Sequence, residues 1–270
     1  MTALRDRALV LRRFPYSESS LVVFVLTEHH GPLRLLARGA YRPKSRFFAV
    51  LDFFDELQLE WRTSRHSELA TLVKGDLTRR RRGVTDELAR YRAALSALEL
   101  ADLGSRPGQA QPETFRSLAA ALDAWHAGSA PADEVRIWFE LAFLRQHGIA
   151  PALIGCAACG KSAAPVAGRA PRAWFSAGAG GRLCEACAND ARAAGRRVGT
   201  LPLDVLVVAD KMSCDEAPLP HDLAPERCAR VRDFVERFLD YHLETRPRSH
   251  RAFLARPNRN APKTPSAAGD

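Results

Sequence analysis

"ALVLRRFPYSESSLVVFVLT", from Ala8 to Thr27, contains two apolar runs rich in branched side chains on either side of a short polar segment. Runs of this composition, bounded by turn-forming residues, are typical of β-strands. Three similar segments follow within the first third of the chain: "LRLLARG", "AVLDFFDELQLEW" and "ELATLVKGDL". Five short strands in succession predict a small closed barrel, and the five-stranded OB-fold is a common barrel of this kind that binds nucleic acid.

The remainder of the chain carries helical patterns, with apolar residues three and four positions apart. Pro112 and Gly128 suit the first turn and the stop of one of these helices. We therefore expect an α+β protein: an N-terminal five-stranded OB-fold barrel, then a mainly α-helical domain with an embedded four-cysteine zinc-binding module. The expected boundaries are 1–80 for the barrel, 83–150 and 200–255 for the two parts of the helical domain, 151–190 for the zinc-binding module and 256–270 for a disordered tail.

The positive charge of the chain is concentrated at its N-terminal end. The net charge is +9, and residues 1–82 hold 16 Lys and Arg against nine Asp and Glu, whereas residues 83–255 hold 21 of each. A clustered positive field favours a polyanionic partner, nucleic acid first and an anionic membrane surface second. A basic surface that only aids solubility is the alternative.

Two Cys-x-x-Cys pairs, in "CAACGK" (from Cys156) and "CEACA" (from Cys184), form the most specific local motif. Two such turns supply the four thiolates of a tetrahedral zinc site, and "AWFSAGAGGRLC" between them predicts a β-hairpin. A redox pair would need a thioredoxin-like context, and a catalytic zinc would need an open coordination position with a nearby base. We therefore expect one structural zinc rather than a redox or catalytic centre, with the ligands Cys156, Cys159, Cys184 and Cys187.

The connection "GAYRPKSRFF" between the third and fourth predicted strands mixes cations with aromatic residues. Cations neutralise phosphates and aromatic rings stack on unpaired bases, although Phe47 and Phe48 individually suit a core role. The "RRRR" run from Arg79 either extends this phosphate track or marks a solvated junction between domains. The predicted DNA-binding residues are Arg12, Arg13, Arg34, Arg38, Tyr41, Arg42, Lys44, Arg46, Arg79, Arg80, Arg81 and Arg82.

Sequence motifs of catalysis and of membrane insertion are not evident. The histidines are scattered, with no metalloprotease motif, phosphate-binding loop or serine elbow, so we expect a protein that is not an enzyme. The start of the chain is too charged for a signal peptide, and no apolar run is long enough for a membrane span. We expect a cytoplasmic, nucleoid-associated protein whose cysteines stay reduced.

With these residues in view, the chain resembles the bacterial RecO recombination-mediator family. "ALVLRRFPYSESSLVVFVLTEHHG" is similar to the family's opening, and "ARGAYRPKSRF" to its basic loop. "GCAACGK" and "FSAGAGGRLCEACA" match its zinc segment with all four cysteines, and "YHLETRPRSHRAFL" resembles its closing helix. The four stretches occur in family order over nearly the whole chain.

The resemblance implies binding of single- and double-stranded DNA, annealing of complementary strands, and loading of the RecA recombinase onto DNA coated by single-strand-binding protein. The implied partners are RecR, sometimes RecF, and the acidic C-terminal tail of the single-strand-binding protein. Two other classes stay open from the residues themselves. One is a zinc-ribbon plus OB-fold protein that binds RNA or acts in transcription, and the other is an enzyme that uses the zinc or the cysteines.

Overall fold

A computed structural model describes residues 3–47, 50–64, 67–166, 168 and 170–243. Phe48, the "SHRAFL" stretch and the expected disordered tail at 256–270 lie outside the described residues. The described chain begins with five strands and continues with helices, as the apolar patterns predict.

The five N-terminal strands close into a barrel with the strand order β1-β2-β3-β5-β4. Neighbouring strands are antiparallel except for the parallel pair β3 and β5. This arrangement confirms the predicted five-stranded, OB-fold-like barrel. Its strands are β1 (Leu4–Pro15), β2 (Leu21–Thr27), β3 (Gly31–Ala37), β4 (Glu56–Ser64) and β5 (Ser67–Arg79).

The barrel buries apolar side chains on both of its faces, because one face fills the barrel and the other meets the helices. Val10 and Val23 belong to the cluster inside the barrel. Leu9, Leu11 and Leu26 belong instead to the larger cluster formed with the helices. The barrel therefore packs against the helical domain through the outer face of β1 and β2.

In the described part of the chain, six α-helices follow the barrel, and α3 lies at their centre, with eleven of its fifteen residues buried. The predicted stop at Gly128 is confirmed, because this glycine caps α2 in the left-handed conformation with φ of 63°. The helices are α1 (Leu88–Gly104), α2 (Pro112–Ala127), α3 (Ala132–Gln146), α4 (Glu185–Ala193), α5 (Leu203–Cys214) and α6 (Pro225–His242).

A small sheet lies between α3 and α5 in the chain. It consists of β6 (Arg172–Ser176), β7 (Gly181–Leu183) and β8 (Gly199–Pro202), in the order β7-β6-β8. Trp174 pairs with Leu183 across β6 and β7, which confirms the predicted hairpin between the two cysteine pairs. Among the described residues, no helix has the length and apolar character that a membrane span requires.

Candidate nucleic-acid interface and metal centre

The connection from β3 to β4 begins with an exposed basic loop, residues 38–46. Two short turns shape it: the backbone N–H of Arg42 donates to the carbonyl of Gly39 at 3.1 Å, and that of Ser45 to the carbonyl of Arg42 at 2.9 Å. Ala40 and Phe47 are each 3% exposed and anchor the loop in the barrel core. The interpretation of Phe47 as a core residue is therefore confirmed.

The cations of the basic loop extend into solvent. Arg38, Tyr41, Arg42, Lys44 and Arg46 are all exposed. Within the described part of the chain, none of the four cations forms an ion pair, although the Arg46 guanidinium lies 5.2 Å from the centroid of the Phe47 ring. Their charge is therefore available to an anionic partner.

The arginines of the barrel strands have neighbours of their own. Arg13 contacts the part of the connection that precedes β4. Its Nη1 lies 2.8 Å from the carbonyl oxygen of Leu51 and 3.2 Å from Asp52 Oδ1. Arg12 pairs with Asp102 of α1 at 2.9 Å. Arg12 and Arg34 both lie over the Phe24 ring, at 4.7 and 5.2 Å from its centroid. The predicted residues of the barrel strands and the basic loop therefore form two groups, one at the loop and one on the outer face of β1–β3.

The four arginines of the "RRRR" run differ in their surroundings. Arg79 pairs with Asp123 of α2 at 2.9 Å, and Arg80 lies 3.6 Å from Asp55. Arg82 is exposed, whereas the Arg81 side chain is fully buried. The placement of Arg81 goes against its prediction as a DNA contact, because a guanidinium enclosed by carboxylates cannot reach a phosphate.

Arg81 instead joins the barrel to the helical domain. Its Nε donates to Asp123 Oδ1 at 2.5 Å, its Nη1 to the carbonyl of Phe54 at 3.0 Å and its Nη2 to Glu56 Oε2 at 3.2 Å. Glu56 lies at the start of β4 and Asp123 lies in α2. Arg81 is therefore a structural ion-pair residue at the domain junction.

Two aromatic residues beside the arginines were not singled out by the sequence patterns. Phe14 and Phe24 lie edge to face, with ring centroids 5.6 Å apart, and Phe14 is 47% exposed. The sequence patterns instead indicated the aromatic residues of the basic connection as candidates for stacking on bases. Alternation along β1 could have placed Phe14 only if the irregular pairing of that strand had been known.

The four predicted metal ligands lie together. The Sγ atoms of Cys156, Cys159, Cys184 and Cys187 are all within 4.8 Å of one another. Cys156 and Cys159 occupy a tight turn closed by two backbone hydrogen bonds, whereas Cys184 precedes α4 and Cys187 lies in its first turn.

The donor set fits zinc. Zinc–sulfur bonds of about 2.3 Å in a tetrahedron place neighbouring sulfur atoms about 3.8 Å apart, and the distance from Cys159 Sγ to Cys184 Sγ is 3.9 Å. Four thiolates complete a tetrahedral shell, which is typical of structural rather than catalytic zinc.

The backbone around the cluster favours ionised sulfur at Cys156. Burial opposes ionisation of this thiol, but hydrogen bonds from the backbone N–H groups of Cys184, Cys159 and Ala158 lower its pKa to about 6. Hydrogen bonds that the Cys187 thiol donates to the neighbouring cysteines, with that to Cys184 the strongest, raise the pKa of Cys187 to about 12. A dication at the centre would stabilise all four thiolates at once.

Comparisons with known proteins identify the chain over most of its length. The family model described as "Recombination protein O N terminal" matches residues 1–81, and the one described as "Recombination protein O C terminal" matches residues 86–251. The boundary between the two matches falls at the Arg81 junction.

Similar proteins named "DNA repair protein RecO" occur in several bacteria. The one from Anaeromyxobacter sp. (strain K) is 35% identical over 250 residues, which cover 91% of this chain and 94% of the relative. The one from Myxococcus xanthus (strain DK1622) is 32% identical, over 90% and 94% of the two chains. The one from Nocardioides sp. (strain ATCC BAA-499 / JS614) is 30% identical, over 89% and 94%. The chain therefore belongs to the RecO family of DNA repair proteins.

Proposed function

We propose that this protein binds single- and double-stranded DNA, anneals complementary strands and helps to load RecA onto DNA coated by single-strand-binding protein, in the RecF/RecO/RecR pathway. The exposed basic loop on the barrel is the observation that carries the proposal, because its four cations are not neutralised by acidic side chains among the described residues. Membership of the RecO family favours this proposal over an RNA-binding or transcription-associated zinc-ribbon protein. Annealing and loading require binding rather than bond chemistry, so the proposal includes no enzymatic step.

The phosphate contacts are assigned to the basic loop, with Arg13 and the exposed Arg79, Arg80 and Arg82 as flanking cations. Each phosphate neutralised on a single strand contributes about −0.7 to the slope of log K against log salt. Replacing the four loop cations by Ala should therefore make the slope shallower by up to about 3. The substituted residues are Arg38, Arg42, Lys44 and Arg46.

A matched control removes four exposed cations from the helical domain. It carries Ala at Lys211, Arg227, Arg230 and Arg237, on α5 and α6. This control should bind a labelled naked strand with the wild-type slope. A loop variant whose slope equals that of the wild type and the control would exclude the loop as the phosphate site.

Strand annealing tests the mediator role directly. We expect the protein to accelerate annealing of complementary strands coated by single-strand-binding protein, and the loop variant to lose this effect. An acceleration on naked strands alone would contradict the mediator role and leave DNA binding intact.

An open groove supports the acidic tail of single-strand-binding protein as a partner. The groove measures about 360 Å³ and has an aromatic floor that includes Phe234 and Phe238. Arg172, Arg230 and Arg237 line it with Asp233, so the lining has a net positive charge, and an acidic peptide with apolar side chains would match it in charge and polarity. The helical-domain control above should therefore lose binding of a labelled tail peptide, whereas the loop variant should retain it.

RecR and RecF are proposed as further partners from the family resemblance, and binding assays with the purified proteins test them.

We also propose that the four cysteines bind one structural zinc ion. When bound, zinc would connect the turn at Cys156 to the start of α4, and backbone N–H groups already stabilise the ionised sulfur of Cys156. Action on DNA would place the protein at the nucleoid.

A further inference from the structure

The helical domain covers only one part of the outer face of β1 and β2. Leu9, Leu11 and Leu26 are buried against the helices. Phe14 lies farther along the same strand and is 47% exposed. The outer face of the barrel is therefore apolar and covered at one end, and aromatic and open at the other.

An irregularity in the pairing of β1 and β2 turns two side chains towards this open end. Leu9 pairs with Leu26, but after a register shift between Val10 and Arg12 the pairs become Arg12 with Phe24 and Phe14 with Val22. A regular strand would place Arg12 on the same side as Val10, which is the inside of the barrel. The bulge instead places Arg12 and Phe14 outside, beside Phe24.

The open end carries a tight cluster of aromatic rings and guanidinium groups, which we call the outer platform: Arg12, Phe14, Phe24 and Arg34. The Arg12 guanidinium lies 4.7 Å from the centroid of Phe24 and 5.8 Å from that of Phe14. The Arg34 guanidinium lies 5.2 Å from Phe24. These contacts hold the arginines above Phe24 and leave much of the Phe14 ring accessible.

A groove of about 400 Å³ runs between the outer platform and the connection from α1 to α2. Arg12, Phe24 and Arg34 line one wall, and Asp102 and Ser105 line the other. Asp102 partly neutralises Arg12 through their 2.9 Å ion pair. This surface is therefore an aromatic surface flanked by hydrogen-bond donors rather than a simple phosphate-binding patch.

We propose that the outer platform stacks an unpaired base of single-stranded DNA, with Phe14 as the stacking ring. Aromatic side chains next to a basic track are the usual arrangement for single-strand binding, because each base has a π face that a duplex keeps covered. Arg34 lies in β3 and Arg38 directly follows the end of that strand, so the two residues are at most about 13 Å apart. One DNA strand can therefore contact both the outer platform and the basic loop. The proposal rests on the proposed DNA binding and adds a preference for unpaired bases.

The test compares Phe14→Leu with Phe14→Tyr. Leu keeps apolar contact with Phe24 but loses the flat ring, whereas Tyr keeps the ring. Binding is measured by fluorescence anisotropy to oligothymidylate, to an abasic strand of the same length and to a blunt duplex. We expect Leu to weaken oligothymidylate binding by at least about fivefold, the loss of one stacked base. Binding to the abasic strand and the duplex should not change.

The conservative variant and a distant control complete the design. Phe14→Tyr should bind oligothymidylate like the wild type, and so should Tyr241→Leu, which alters a 61% exposed aromatic residue of α6. Thermal melting checks the fold, with Phe14→Met as a second variant without a ring. Equal binding of oligothymidylate by the Leu variant and the wild type would overturn the proposal. An equal loss on the abasic strand would also overturn it, because the effect would then not involve a base.

These outcomes are separable from those of the proposed function. The salt slope of the basic-loop variant tests the phosphate contacts, whereas Phe14→Leu should leave that slope unchanged because stacking releases no counterions. If Phe14→Leu binds oligothymidylate like the wild type while the loop variant has a shallower salt slope, the proposed DNA binding stands and the outer platform is excluded as a stacking site.

Discussion

The buried Arg81 offers the sharpest test of how the barrel is held against the helices. Its side chain makes no contact with solvent and contacts Asp123, Glu56 and the carbonyl of Phe54, while its backbone N–H donates to Asp55 Oδ1 at 2.8 Å. Arg81→Met keeps most of the volume and removes the charge and every side-chain donor. We expect this variant to fold with lower stability and to bind DNA with the wild-type salt slope.

The size of the loss follows from the remaining partners of the carboxylates. Removing one member of a buried ion pair costs about 3–5 kcal/mol when the other is left alone. Here Glu56 keeps Arg7 at 2.9 Å, and Asp123 keeps Arg79 at 2.9 Å. We therefore expect the lower end, about 3 kcal/mol. At about 2–4 °C per kcal/mol for a chain of this size class, Tm should fall by about 6–12 °C.

Arg82→Met is the matched control, because Arg82 is the next residue and is exposed. It should change the free energy of unfolding by less than about 0.5 kcal/mol. Urea unfolding followed by circular dichroism measures both variants, and calorimetry gives Tm. The reasoning is refuted if the two variants are equally stable. It is also refuted if folded Arg81→Met shows a shallower DNA salt slope, since that would make Arg81 a phosphate contact.

Two further predictions concern the cysteine cluster and the pH dependence of stability. Elemental analysis should find one zinc ion per chain in the wild type. Cys156→Ser should lose this ion and unfold the cysteine segment, whereas Cys214→Ser, at an exposed cysteine, should keep it. Full metal content in Cys156→Ser would contradict a four-cysteine site. Burial opposes ionisation of Glu56, but the hydrogen bond from Arg7 and the charge of Arg81 hold its pKa below the ordinary 4.5. The ionised carboxylate therefore stabilises the fold above about pH 4.5, and this contribution disappears as the pH falls through the lowered pKa. Glu56→Gln should be less stable at pH 7 and should show a shallower decrease of unfolding free energy between about pH 5 and pH 3; an acid limb as steep as that of the wild type would contradict this assignment.

Local patterns in the sequence were sufficient for the elements and for the metal cluster. The β-branched runs between Ala8 and Thr27 predicted strands, and Gly128 predicted a helix stop, because both depend on conformational preferences of neighbouring residues. The cysteine spacing predicted the cluster because a Cys-x-x-Cys turn brings its own two sulfur atoms together. The RecO resemblance then predicted the family, which the comparisons show.

The roles of individual arginines and aromatic residues depended on contacts that are distant in sequence. Arg81 and Arg82 are identical neighbours, yet Asp123 and Glu56 enclose only Arg81. The position of Phe14 outside the barrel likewise follows from a bulge in the pairing with β2, which alternation along β1 does not reveal. The sequence by itself determined the barrel, the helices, the cysteine cluster and the basic N-terminal part. Only the tertiary structure decided which cations are buried and which aromatic rings are open, because burial and pairing arise when residues far apart in the chain come together.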